Sequence, residues 1–123
     1  MNRDSRLNEL ARLEAGWLDG SGVIIQTASV DFFHSLFAKW PDIPGGLFPT
    51  EEGGLQLEIS GLSPKSTSRW CYIEIDHINS EIDVYVLWNT STEPVAKSFK
   101  SLAKTIEFVR DELSLMPKTW NVR

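Results

Sequence analysis

The chain contains a single cysteine, Cys71, so no internal disulfide can staple it. Its two histidines, His34 and His77, have no nucleophile motif beside them and do not compose a catalytic triad. No apolar run approaches the ~20 residues needed to cross a bilayer, which excludes a membrane-spanning helix. The glycine-rich pieces at 16–22 and 45–46 are not followed by Gly-Lys-Ser/Thr, so neither is a phosphate loop. Internal repeats and low-complexity tracts are also lacking. Residues 1–6 lead into a polar amphipathic stretch without the apolar segment of a secretory signal, and a cytoplasmic, bacterial-type protein is the expectation.

What is present is an ordinary share of apolar and charged residues, 41% and 24% of 123. That suffices for one packed core, and residues 1–123 read as a single domain. The net charge of −5 is unevenly spread. Positions 51–93 hold Glu51, Glu52, Glu58, Glu74, Asp76, Glu81, Asp83 and Glu93 against only Lys65 and Arg69. Positions 94–123 hold six basic residues against three acids. So few cations in the middle of the chain argue against nucleic acid there, because phosphates must be neutralised by Lys and Arg. A basic protein is the better-matched partner.

Three segments alternate apolar with polar residues at the period of a half-buried strand: 55–59, 70–76 and 82–88. Leu55, Leu57, Ile59, Cys71, Ile73, Ile75, Ile82, Val84, Val86 and Trp88 share one face. Gln56, Glu58, Tyr72, Glu74, Asp76, Asp83 and Tyr85 share the other. Residues 47–49 suggest a short edge strand, where Pro49 is tolerated. Residues 60–69 read as a polar loop and 77–80 as a tight hairpin connection.

Helical periodicity covers 4–15, with Leu7, Leu10, Ala11 and Leu13 inward and Gly16 after its end, and 28–40, with Val30, Phe33, His34, Phe37 and Trp40 inward before Pro41. The loop that follows the first helix carries Trp17 and Leu18 as anchors to the core. After 89–94, the residues Val95, Phe99, Leu102, Ile106, Val109 and Leu113 predict a last helix that begins near Pro94 and closes at Pro117. The expected fold is α+β, an antiparallel three- to four-stranded meander with helices packed on one face, in the order α-α-(β)-β-β-β-α.

The hairpin between 70–76 and 82–88 admits two registers. A two-residue loop at Asn79-Ser80 pairs Asp76 with Asp83 and Glu74 with Tyr85. A four-residue loop pairs Glu74 with Asp83 and Tyr72 with Tyr85. Both set carboxylates opposite one another, which is mildly destabilising unless water screens them or a cation binds there. Glu58, Trp70, Tyr72, Glu74, Asp76, Asp83 and Tyr85 are therefore the candidate partner-binding residues. Glu58, Glu74 and Asp83 also have oxygens of the type that hard divalent cations take, although not at a known metal-loop spacing. Paired carboxylates can act as acid and base, but an open sheet face supplies neither the cleft nor the unequal environments this requires. His34 reads as a core-edge residue, His77 as a solvated turn residue and Cys71 as a buried, inert thiol.

The stretches Leu10 to Gly22, with Gly16-Trp17-Leu18-Asp19-Gly20, Phe48 to Glu58, with Pro49-Thr50-Glu51-Glu52-Gly53-Gly54, and Tyr72 to Asp76 resemble a family of small uncharacterised bacterial proteins. That family is marked by a Gly-Trp-Leu-Asp-Gly loop and a Pro-Thr-x-x-Gly-Gly-x-x-x-Glu strand. By size and charge such proteins are similar to antitoxins and immunity proteins. The expectation is a non-enzymatic acidic binding protein, without cofactor, that neutralises a basic protein such as a nuclease toxin. The alternatives are a metal-dependent hydrolase or small-ligand protein using the same carboxylates, and a homodimer that buries the aromatic residues.

Overall fold

The computed structural model describes residues 3–65, 69–90 and 93–123. The element order is α1 (Arg3–Ala11), α2 (Thr27–Lys39), β1 (Gly46–Pro49), β2 (Leu55–Leu62), β3 (Trp70–Ile78), β4 (Glu81–Trp88), β5 (Val95–Phe99), α3 (Leu102–Ser114) and β6 (Asn121–Val122). Strands β1 to β5 pair antiparallel in chain order, and β6 joins the free end of β2 through Gly61 and Leu62. The fold is thus the expected α+β meander with its helices on one face, extended by β5 and β6.

Alternation along β2, β3 and β4 sends Leu55, Leu57, Ile59, Cys71, Ile73, Ile75, Ile82, Val84 and Val86 into one core. Leu7 and Leu10 of α1, Phe33, Leu36 and Phe37 of α2, and Ile106 and Val109 of α3 close that core from the helix side. Burial of these large side chains is the main stabilising term, at roughly 1.5–3 kcal/mol each relative to exposure. Two polar devices fix the angle of α2. Ser29 Oγ donates to the His77 carbonyl at 2.9 Å, and the Gln26 and Asn79 side chains and backbone exchange two bonds of 2.8 Å.

The β3–β4 connection is the two-residue form, with Asn79 at φ 52° and Ser80 at φ 60°. Positive φ at both central residues matches the right-handed twist of the flanking strands, and Asn tolerates it well. The register therefore pairs Asp76 with Asp83 and Glu74 with Tyr85, and the four-residue alternative is not adopted. The stretch 16–22 is a miniature hairpin. Leu18 and Ser21 exchange two backbone bonds of 2.8 Å around Asp19 and Gly20, both at positive φ. Trp17 anchors it, as expected, packing on the core and donating Nε1 to the Val23 carbonyl at 2.9 Å, whereas Leu18 is exposed.

Five expectations need correction. The first helix ends at Ala11 rather than near 15, and the second strand runs on to Leu62, taking over the start of the expected loop; residues 66–68 of that loop lie outside the described residues. Residues 95–99 are strand β5, and the last helix begins only at Leu102, where the Ser101 Oγ accepts from the Lys104 amide at 3.2 Å. His77 is buried in β3 rather than solvated in the turn. His34 points to solvent, its Nδ1 3.9 Å from Asp4.

Candidate functional site

The side of the sheet opposite the helices presents its residues in cross-strand rows. One row runs Phe48, Gln56, Asp76, Asp83, Ser98, and the next runs Gly46, Glu58, Glu74, Tyr85, Ala96. Ser60, Tyr72 and Leu87 form a third, and Leu62 lies beside Trp70 in a fourth. Two pairs of carboxylates are therefore direct cross-strand neighbours at the centre of the face: Glu58 with Glu74, and Asp76 with Asp83. The parity of the strands forces this, since each acid sits between two inward-facing residues, apolar except for His77 after Asp76, and cannot turn inward without exposing them.

Like charges so placed repel, and the site contains the groups that moderate this. Tyr72 Oη lies 2.6 Å from Glu74 Oε1 and 3.1 Å from Glu58 Oε1. A phenol has one proton, and the shorter contact to Glu74 receives it. Glu58 Oε1 accepts instead from Gln56 Nε2 at 2.8 Å. The Ser98 hydroxyl donates to Asp83 Oδ1. Asp76 fares worst: its carboxyl hydrogen-bonds Glu74, but its Oδ1 is buried and has no hydrogen-bond partner among the described residues. Burial first, then Glu74, Asp83 and Glu58, push its carboxyl up to about 8. Burial, then Glu74 and Glu58, raise the Tyr72 phenol above its ordinary value, and burial, then Asp83, Asp76 and Glu74, raise that of Tyr85.

No ion pair among the described residues joins a lysine or arginine to any of the four acids. Lys97, on the nearest strand, faces the other way, with Nζ 5.0 Å from the Phe108 ring centroid. Among the described residues, the carboxylates thus form an anionic centre moderated by the Tyr72 and Ser98 hydroxyls and the Gln56 amide. Beside it, Thr50, Glu52, Gln56, Asp76, Asp83 and Tyr85 line a cavity of about 340 Å³. Among the described residues no group of three or more His, Cys, Asp or Glu side chains is placed to hold a metal ion.

The structure brings together Glu58, Tyr72, Glu74, Asp76, Asp83 and Tyr85, all named from the sequence. Trp70 lies two residues along β3 from Tyr72, half-buried, and its amide donates to Asn89 Oδ1 at 3.1 Å. Sequence reasoning missed Phe48, Leu62 and Leu87, which give the face apolar margins, and Ser98, which reaches Asp83. Phe48 carries a signal: in a strand 46–49 antiparallel to 55–58 it shares parity with the acids.

The remaining reactive groups lie elsewhere. Cys71 is buried beneath the sheet, and its thiol is pushed up to about 12 by burial and by Glu112, so it stays protonated and inert at neutral pH. His77 faces the helices, stacked on Phe32 at 4.7 Å between centroids. Since Ser29 Oγ donates to the His77 carbonyl, it accepts from Nδ1 at 2.8 Å, which assigns the neutral ring's proton to Nδ1. Burial holds this imidazole below its ordinary pKa.

No helix of the described residues is long and apolar enough to cross a membrane. Compared with protein-family models, with curated proteins and with solved structures, the chain gives no match.

Proposed function

We propose that this chain is a non-enzymatic binding protein whose acidic sheet face takes up and neutralises a basic protein, such as a nuclease toxin. The observation that carries the proposal is the pair of directly opposed carboxylate pairs, Glu58–Glu74 and Asp76–Asp83, with no cation of the chain salt-bridged to them among the described residues. Such an arrangement costs stability in the free protein, and an incoming Lys or Arg relieves it. Charge complementarity speeds encounter, and close charge pairs at such interfaces contribute roughly 1.5–7 kcal/mol each. Tyr72, Tyr85 and Trp70 supply the aromatic area that interfaces concentrate into hot spots, and Phe48 and Leu62 extend it as exposed apolar neighbours.

The test is capture of the partner from native lysate on the tagged chain, its identification, and titration of the purified pair. A basic partner is expected, with Kd raised about 100-fold or more when Glu74→Lys and Asp83→Lys are combined. Unchanged affinity after both reversals contradicts the proposal. Calorimetry with magnesium, manganese and calcium distinguishes the alternative: binding of micromolar strength, abolished by Asp83→Asn, assigns the face to a metal ion instead.

A further inference from the structure

We propose that the cleft between α1 and β1 binds a small oxyanion, a carboxylate or a phosphate monoester, carried on an aromatic or apolar body. The cleft encloses about 300 Å³, the lower end of the range for small-molecule sites, and Arg3, Arg6, Phe37, Gly46, Phe48 and Leu57 line it. Arg3 and Arg6 stand three residues apart on α1 and so project from one side of the helix. Two guanidinium groups on one cavity are notable in a chain of net charge −5.

Each guanidinium has five donors, and the fold uses only some of them. Arg6 Nε donates to the Leu47 carbonyl at 3.0 Å and Nη1 to Glu9 Oε1 at 3.2 Å. Arg3 Nη2 donates to the Ile43 carbonyl, and the group lies 4.7 Å over the Phe37 ring. Those contacts account for a structural strap from α1 to the loop after α2. They leave Arg3 Nη1, which is buried and has no hydrogen-bond partner among the described residues. A buried charged donor without an acceptor is rare and costly. A planar fork of this kind matches the two oxygens of a carboxylate or phosphate. Asp42 acts on Arg3 at longer range, without supplying that acceptor.

The rest of the cleft suits a flat, apolar body. Phe37 and Phe48 contribute aromatic carbon to the lining and Leu57 contributes aliphatic carbon. The Phe48 ring lies back over its own strand because position 46 is glycine: a Cβ there would stand 3.1 Å from the ring. This site lies on α1 and the edge strand, where it shares Gly46 and Phe48 with the margin of the acidic face; none of the four carboxylates lines it, and it does not depend on the function proposed for them.

The experiment is an amide NMR titration of the whole chain with benzoate, phenyl phosphate, inorganic phosphate and, as the neutral control, benzyl alcohol. Benzoate or phenyl phosphate is expected to shift the amides of Gly45 to Phe48 saturably, and the stronger of the two assigns the head group. Benzyl alcohol and inorganic phosphate are expected to bind more weakly. Arg3→Gln should raise the Kd about tenfold or more, and Arg3→Lys, which keeps charge but loses the fork, should fall between. If Arg3→Gln fails to fold, Arg6→Gln and the wild-type shift map decide the question. No saturable shift at 45–48 with either aromatic anion, or equal affinity for benzyl alcohol, overturns the proposal.

Discussion

Asp76 makes a carboxyl group work against the fold. Its ordinary value of 3.8 is raised to about 8, so between those limits the native chain holds a proton that the unfolded chain has released. Its contribution to stability is therefore intact below pH 4 and lost as pH rises through 8. Asp76→Asn, which stays neutral, should match the wild type at pH 4 and exceed it at pH 9. The gain should be on the order of 1–2 kcal/mol after discounting for the screening of a half-buried group, read from urea midpoints at both pH values. His77 acts in the opposite sense. Its folded pKa is depressed by burial, so its contribution is intact above the unfolded value near 6.5 and lost as pH falls. Ser29→Ala removes its hydroxyl partner and should cost about 1–3 kcal/mol in the same assay. Ser80, at φ 60° in the β3–β4 turn, occupies a position that glycine fills without strain. Ser80→Gly should stabilise the chain by about 0.5–1 kcal/mol, seen as a raised Tm, whereas Ser80→Val should lower it.

At the scale of elements, the informative case is residues 95–113. Val95 and Phe99 are four apart, a spacing that equals both one helical turn and two strand repeats. They extend the helical stripe of Leu102, Ile106, Val109 and Leu113 by coincidence, while in fact Val95, Lys97 and Phe99 lie along one side of β5 opposite Val86, Val84 and Ile82. The deciding signal was local: Ser101 is a good N-cap, and its hydroxyl does cap the helix. Ser101→Ala should cost about 1 kcal/mol of stability, a loss with no cause if the helix began at Pro94. The strands read at 70–76 and 82–88 were legible because alternation there admits one buried face only, although β3 runs on to Ile78 and β4 begins at Glu81. Their register was legible to within two residues, and the Asn79-Ser80 turn chose between the options. The burial of His77 was not legible, since it depends on α2 placing Ser29 and Phe32 against the end of β3, a contact spanning 48 positions in the chain. Of the apolar margins of the site, Phe48 and Leu62 came from β1 and β2, whose pairing depends on the turn at 50–54, and Leu87 from β4.

Across the whole molecule, the sheet has one covered face and one acidic face. The helices and core cover one side of the sheet, and the other carries four central acids without a salt-bridged cation among the described residues. A partner steered by that field should associate more slowly as salt rises, because interactions beyond the Debye length of about 8 Å at physiological ionic strength are screened. Stopped-flow association at two salt concentrations reads this directly, and the Glu74→Lys, Asp83→Lys variant should lose most of the dependence. The functional proposal and the sheet geometry share one physical premise, that Glu58, Glu74, Asp76 and Asp83 crowd one another with no salt-bridged cation among the described residues. A carbon-detected NMR titration of the Asp76 side-chain carboxyl tests it most directly. Burial of Asp76, added to by Glu74, Asp83 and Glu58, demands a midpoint near 8. A midpoint near the ordinary 3.8 would show that the carboxylates are neutralised or apart, and the account of this face would fail.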